Sequence, residues 1–107
     1  MVYLMETETR VYTRYSILTE DINRGKIARL CREHKIDCTL YAGVGLFNGN
    51  IEGSLTVVHL APLEANVREE IKALARDIKA ENNQREIWIT EETVTLKKLL
   101  DNTPAIG

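Results

Sequence analysis

The chain has 107 residues, with 14 basic and 16 acidic side chains, a net charge of −2, and a hydrophobic fraction of 44%. That length suits one domain, residues 1–107, able to close a core of two helices on a sheet without disulfides or a metal. The charge balance gives no overall field to draw in an extended nucleic acid, and no apolar run approaches the ~20 residues of a membrane span.

Met1 to Met5 is apolar but is followed at once by Glu6 and Glu8 and lacks a basic leading region, so no secretory signal is read there and a cytoplasmic location is expected. From Glu8 to Leu18 the residues alternate. Val11, Thr13, Tyr15 and Ile17 fall on one face, and Arg10, Tyr12, Arg14 and Ser16 on the other, which predicts a first strand. Thr19 or Asp21 is then placed to cap a helix whose stripe, Ile27, Leu30, Cys31 and His34, runs to about Lys35.

A second strand follows, with Cys38, Leu40, Ala42, Val44 and Leu46 on the face expected to meet the helices, and Thr39, Tyr41, Gly43, Gly45 and Phe47 on the other. The Asn48-Gly49-Asn50 turn favours positive φ and predicts a hairpin. The third strand is read from Ser54 to Leu60, apolar on both sides as a central strand is. Asn66 with Glu69 resembles a capping box opening a second helix striped by Val67, Ile71, Leu74, Ala75 and Ile78. Asn82 and Asn83 end it. Glu86 to Thr90 reads as the fourth strand, Trp88 outward, and Val94 to Leu100 as either a short strand or a last helical turn. The core is thus expected over about 9–91, with residues 92–107 as a C-terminal extension.

The order βαββαβ predicts an α+β, ferredoxin-like plaited antiparallel sheet with both helices on one face. The uncovered face then presents Arg10, Tyr12, Arg14, Tyr41, Phe47 and Trp88. Aromatic and arginine side chains on an open sheet serve either a subunit interface or a ligand platform, with a ring stacked on a base and an arginine on a phosphate. The third strand lacks the basic-glycine-aromatic pattern of an RNA-recognition motif. Gly43 and Gly45 allow close backbone approach, Glu52 and Ser54 follow the hairpin turn, and Gln84 and Arg85 form a polar cluster beside Asn82 and Asn83.

Neither His34 nor His59 has a second ligand at metal spacing, so no metal site is assigned and each reads as a core or boundary histidine. Cys31 and Cys38 carry no nucleophile signature and read as small packed thiols rather than a disulfide framework. No catalytic residue and no cofactor is assigned.

Tyr41-Ala-Gly-Val-Gly-Leu-Phe-Asn-Gly, with Glu52-x-Ser54, a helix leading to Gln84 and a strand, resembles small ferredoxin-like proteins carried by bacteriophages and mobile elements. The order of elements is similar, more distantly, to PII-like signalling proteins. These resemblances imply a homo-oligomer with clefts between subunits, and for the phage proteins a role against host defence through a nucleotide messenger or a defence protein. The hairpin from Asn48 to Gly53 is too short to be the long target-touching loop of PII proteins. The leading expectation is therefore a non-catalytic homo-oligomer binding a small anionic ligand, such as a nucleotide signal, through Arg10, Tyr12, Arg14, Tyr41 and Trp88, with Gly43, Gly45, Phe47, Glu52 and Ser54 shaping the cleft. A protein interaction module or inhibitor, and a small ferredoxin-like enzyme using His34, His59 or Glu52, are the alternatives.

Overall fold

Alternating and helical periods are laid out along the chain as β1 (Met5–Glu20), α1 (Arg24–Glu33), β2 (Thr39–Phe47), β3 (Asn50–Pro62), α2 (Arg68–Glu81) and β4 (Trp88–Asp101) in a computed structural model that describes residues 5–101. Met1–Leu4, where the absence of a signal was read, and residues 102–107, the end of the expected extension, lie outside the described residues. The strands form one antiparallel sheet in the order β2-β3-β1-β4. Tyr15 and Ile17 of β1 and Leu55 and Val57 of β3 pack with Ile27 and Cys31 of α1 and Ile71, Leu74, Ala75 and Ile78 of α2. Both helices therefore cover one face, as the ferredoxin-like reading requires. Burying each large aliphatic side chain of this set stabilises the fold by ~1.5–3 kcal/mol.

The sheet outruns its helices. At ~3.3 Å per residue the 16 residues of β1 span roughly 50 Å, whereas the 14 residues of α2 span about 21 Å. The radius of gyration is 17.8 Å, against about 13 Å for a compact chain of this length. At one end the β2–β3 hairpin projects past α2, closed by Asn48 and Gly49 at φ 51° and 80°, the two positive values of a type I′ turn whose twist matches the strands. At the other end, past the last β1–β3 pair at Tyr12, β1 and β4 continue as a two-stranded ribbon from Val11 with Thr95 to Met5 with Asp101.

This overhang accounts for several differences from the sequence reading. Ala42, Val44 and Leu46 were expected against the helices, but only Cys38 and Leu40 of that face reach the core; Val44 and Leu46 stand 76% and 70% exposed beyond the helices. Val11 is exposed on the ribbon for the same reason. Of the two readings open for Val94 to Leu100 the strand holds: residues 92–101, expected beyond the core, continue β4, and pairing with β1 satisfies backbone groups there.

The helix caps also move. Thr19 stays in β1, its side chain buried, and Asp21 pairs with Arg24 at 2.6 Å, so the cap of α1 falls to Asn23, whose side chain accepts from the Lys26 N–H at 3.2 Å. In α2 the cap is Val67, without a side-chain bond, one residue past the expected Asn66. Glu69 and Glu70 in its first turn complement the helix dipole instead.

Candidate functional site

The strand register decides which expected site residues meet. On the open face Tyr41, Thr56, Leu18 and Trp88 form one transverse row, and Gly43, Ser54 and Glu20 the next. Beyond them, at the hairpin end, Glu52 stands opposite Gly45. The Phe47 ring folds back over Gly45, where a Cβ would strike it; glycine is needed there by that contact.

A cleft of about 730 Å³ opens at this corner, lined by Leu18, Thr19, Glu20, Phe47, Asn48, Glu52, Gly53, Ser54, Asn83, Gln84, Arg85, Glu86 and Trp88. Four expected site residues, Phe47, Glu52, Ser54 and Trp88, come together here. Tyr41 stands in the same row as Trp88, 58% exposed, but with β3 and β1 between them and outside the cleft. Gly43 faces Ser54 from β2, with open space above it.

Arg10, Tyr12 and Arg14 lie toward the ribbon end and do not line the cleft. Arg10 donates to Glu8 at 2.9 Å and holds that carboxyl below the usual range, while Arg14 donates to the cross-strand Glu92 at 2.8 Å. Neither guanidinium is left unpaired.

The cleft has a polar floor that the strand pattern did not reveal. Asn82, buried at the end of α2, donates through Nδ2 to Thr19 Oγ1 at 2.9 Å, to the Glu20 carbonyl at 3.2 Å and to Gln84 Oε1 at 3.4 Å. The Thr19 hydroxyl donates in turn to Gln84 Oε1. The sequence signal for this cluster was the run Asn82-Asn83-Gln84-Arg85 at a helix end, which is also what an ordinary solvated helix terminus looks like. Three carboxylates, Glu20, Glu52 and Glu86, face one guanidinium, Arg85, around the cleft. The local charge is negative, so the site suits a cation or zwitterion better than an anion.

The remaining candidates are occupied elsewhere. His34 bridges the two helices, Nδ1 to Glu70 at 2.6 Å and Nε2 to Asp77 at 2.6 Å, and the Glu70 bond foremost, then Asp77, raises its pKa. His59 Nδ1 lies 2.7 Å from the Asp37 carbonyl. Cys31 and Cys38 are free thiols in contact, and hydrogen bonding to Cys31 together with burial pushes Cys38 up. Among the described residues no group of three His, Cys, Asp or Glu side chains is placed to hold a metal ion, and no helix is long and apolar enough to cross a membrane.

No protein-family model matches this chain, and no curated protein matches it. Solved structures do. CPII, a nitrogen regulatory PII-like protein from Thiomonas intermedia K12, bound to ADP, AMP and bicarbonate, aligns at a TM-score of 0.57 with 9% identity, over 83% of this chain and 96% of that one. Its apo form aligns at 0.59, with 9% identity over 87% and 99%. A phage SAM lyase in the apo state aligns at 0.57, with 13% identity over 92% and 93%. At these identities the likeness is one of fold. The chain has the ferredoxin-like architecture of PII-like proteins, shared with a phage enzyme.

Proposed function

We propose that this protein binds a small adenosine-type ligand in the cleft beside Trp88, working as a homo-oligomer. The observation that carries this reading is the convergence of Phe47, Glu52, Ser54 and Trp88 in one cleft of about 730 Å³, within the range of small-ligand sites. Trp88, 65% exposed, and Phe47, 55% exposed, offer ring faces for stacking a base. The three carboxylates supply acceptors for a positive centre. An anionic nucleotide, the expectation from Arg10 and Arg14, loses support because those arginines are paired outside the cleft; Arg85 alone argues for it. Assembly is supported by β2, an edge strand with no charged residue and no proline, the kind of edge that pairs with another chain.

A second reading is favoured by the acidic cleft: the ligand is S-adenosylmethionine and is cleaved, as the name of the phage SAM lyase says of that protein. The ligand's own carboxylate displaces the sulfonium sulfur, closing a lactone C–O bond as the C–S bond breaks and a neutral thioether leaves, so such a site need only orient the ligand and stabilise charge. Consumption of this cofactor, like capture of a nucleotide messenger, fits the counter-defence role that the phage resemblance implies.

Isothermal titration with S-adenosylmethionine, its uncleavable amine-bearing analogue sinefungin, ADP and AMP tests the site. Chromatography of the S-adenosylmethionine mixture reports cleavage, and native mass spectrometry the subunit count. Sinefungin binding at least tenfold tighter than ADP is expected. The reverse order restores the anionic nucleotide, and no heat from any of the four turns the open face into a protein-binding surface.

A further inference from the structure

We infer that Gln84 is a specificity-determining residue of the cleft, presenting a fixed carboxamide N–H to a hydrogen-bond acceptor on the ring of the bound ligand. This rests on the proposal that the cleft is a small-ligand site.

Two arrangements hold Gln84. Its backbone closes the end of α2: Asn83 takes a left-handed conformation at φ 52°, its N–H bonds the Ala80 carbonyl at 3.2 Å, and the Gln84 N–H bonds the Lys79 carbonyl at 3.0 Å. These paired bonds are the Schellman arrangement, which fixes the residue after the left-handed one. Its side chain is held by Thr19 and Asn82, which lie on β1 and at the end of α2.

The direction of that side chain follows from hydrogen-bond chemistry. The Glu20 carbonyl can only accept, so the Asn82 group 3.2 Å from it is the donating Nδ2. Nδ2 also donates to Thr19 Oγ1, which leaves the hydroxyl proton of Thr19 for Gln84. Both neighbours thus donate toward Gln84, and the atom they meet is Oε1. The amide nitrogen is turned the other way, where its one hydrogen-bond partner among the described residues is the Glu86 carbonyl at 3.5 Å, too long to be a strong bond. A donor therefore remains at the cleft wall while the acceptor is saturated.

Asn82 supports the same conclusion. It is 8% exposed, and its own Oδ1 has no partner among the described residues. A buried acceptor left unpaired is unfavourable, and here it accompanies the turning of both amide hydrogens toward β1 and Gln84. Thr19 and Asn82 are positioning residues; Gln84 is the one that touches the ligand. The class of group it reads is a ring nitrogen lone pair, such as those of a purine, rather than a ring N–H.

The test is calorimetric titration of the wild-type protein, Gln84→Glu and Asn82→Asp with sinefungin, followed by competition with 1-deaza-, 3-deaza- and 7-deaza-adenosine. Gln84→Glu keeps the shape and the acceptor but removes the donor, and weakens sinefungin at least tenfold. The wild-type protein disfavours one of the three deaza compounds at least fivefold. Gln84→Glu and Asn82→Asp both abolish that preference, which a merely structural loss would leave in place. Wild-type binding with Gln84→Glu within twofold overturns this inference and leaves the ligand site standing. No binding by the wild-type protein to sinefungin or ADP overturns both.

Discussion

At the hairpin end of the sheet, polar side chains from a strand, a helix end and a turn meet in a cleft whose floor is a buried hydrogen-bonded network. Toward the ribbon end charged side chains pair with one another at the surface, Arg10 with Glu8 where β1 and β4 run on alone and Arg14 with Glu92 where β3 still flanks β1. Both ends display residue types common in binding sites, but only one has a third element to wall them in. A two-stranded ribbon offers no concavity, and a guanidinium beside a carboxylate on a flat surface is already satisfied. Exposed pairs of this kind contribute little to stability. A site is made where elements converge.

The core between the two ends gives the largest expected effect. Leu74 is fully buried between α2 and the sheet, and Leu74→Ala lowers stability by ~2–5 kcal/mol, read as a fall in the urea midpoint. The buried cluster couples the cleft to the fold through α2, so ligand binding is lost at urea concentrations where the wild-type protein still binds. An unchanged midpoint would mean that the two ends do not share this core.

The contrast between the ends is broken or kept by single substitutions at each. Trp88→Ala and Glu52→Gln are expected to weaken sinefungin at least tenfold, ~1.4 kcal/mol, while Arg14→Ala stays within twofold. Tenfold loss in Arg14→Ala with little change in Trp88→Ala would move the site to the ribbon end.

Much of the fold was legible because local signals and tertiary needs agree there. The alternation of β1, the stripe of α2 and the Asn48-Gly49 turn each point to the structure they adopt. Strand length was not legible. Val44, Leu46 and Val94 carry β-type residues whether or not a helix covers them, and alternation reports a face without saying what lies against it. The candidate site was legible in part for the same reason. The outward faces of Phe47, Trp88 and Ser54 follow from period two, but Arg10 and Arg14 share the open face with Trp88 while lying toward the other end of the sheet. Period gives the face and not the position along it. The Thr19–Asn82–Gln84 network joins residues 63 and 65 positions apart in the chain, and nothing local marks such a pairing.

A pH dependence separates the helix layer from both ends. His34 lies between Glu70 and Asp77, and its raised pKa means the folded state holds its proton more tightly than the unfolded chain does. That stabilisation is fully present below the unfolded value, ~6.5, and is lost as pH rises through the higher folded value. The stability difference between wild type and His34→Gln should therefore be largest near pH 6 and shrink toward pH 9 in urea titrations. A difference that is constant over this range would assign the contact to packing rather than charge. Sinefungin affinity in His34→Gln is expected to be unchanged, since His34 does not line the cleft.

The smallest effect compares the two helix ends. Both helices close with the same paired bonds, α2 through Asn83 at φ 52° and α1 through Lys35 at φ 56°, where the Ile36 N–H reaches the Cys31 carbonyl at 3.0 Å. Asparagine tolerates the left-handed region; lysine pays ~1–2 kcal/mol for it. Glycine removes that strain but adds ~0.5–1 kcal/mol of unfolded-chain entropy, and losing an exposed cation near a helix C-terminus costs a few tenths more. The sum predicts that Lys35→Gly stabilises the protein by ~0.5 kcal/mol, and by slightly more in high salt, where the dipole contribution is screened. Asn83→Gly changes stability less, because asparagine is already suited to the position, yet it loosens the backbone that holds Gln84. Equal stability gains in the two variants would mean that the left-handed residue is equally strained at both helix ends, and that Asn83 has no preference for its place beside the cleft.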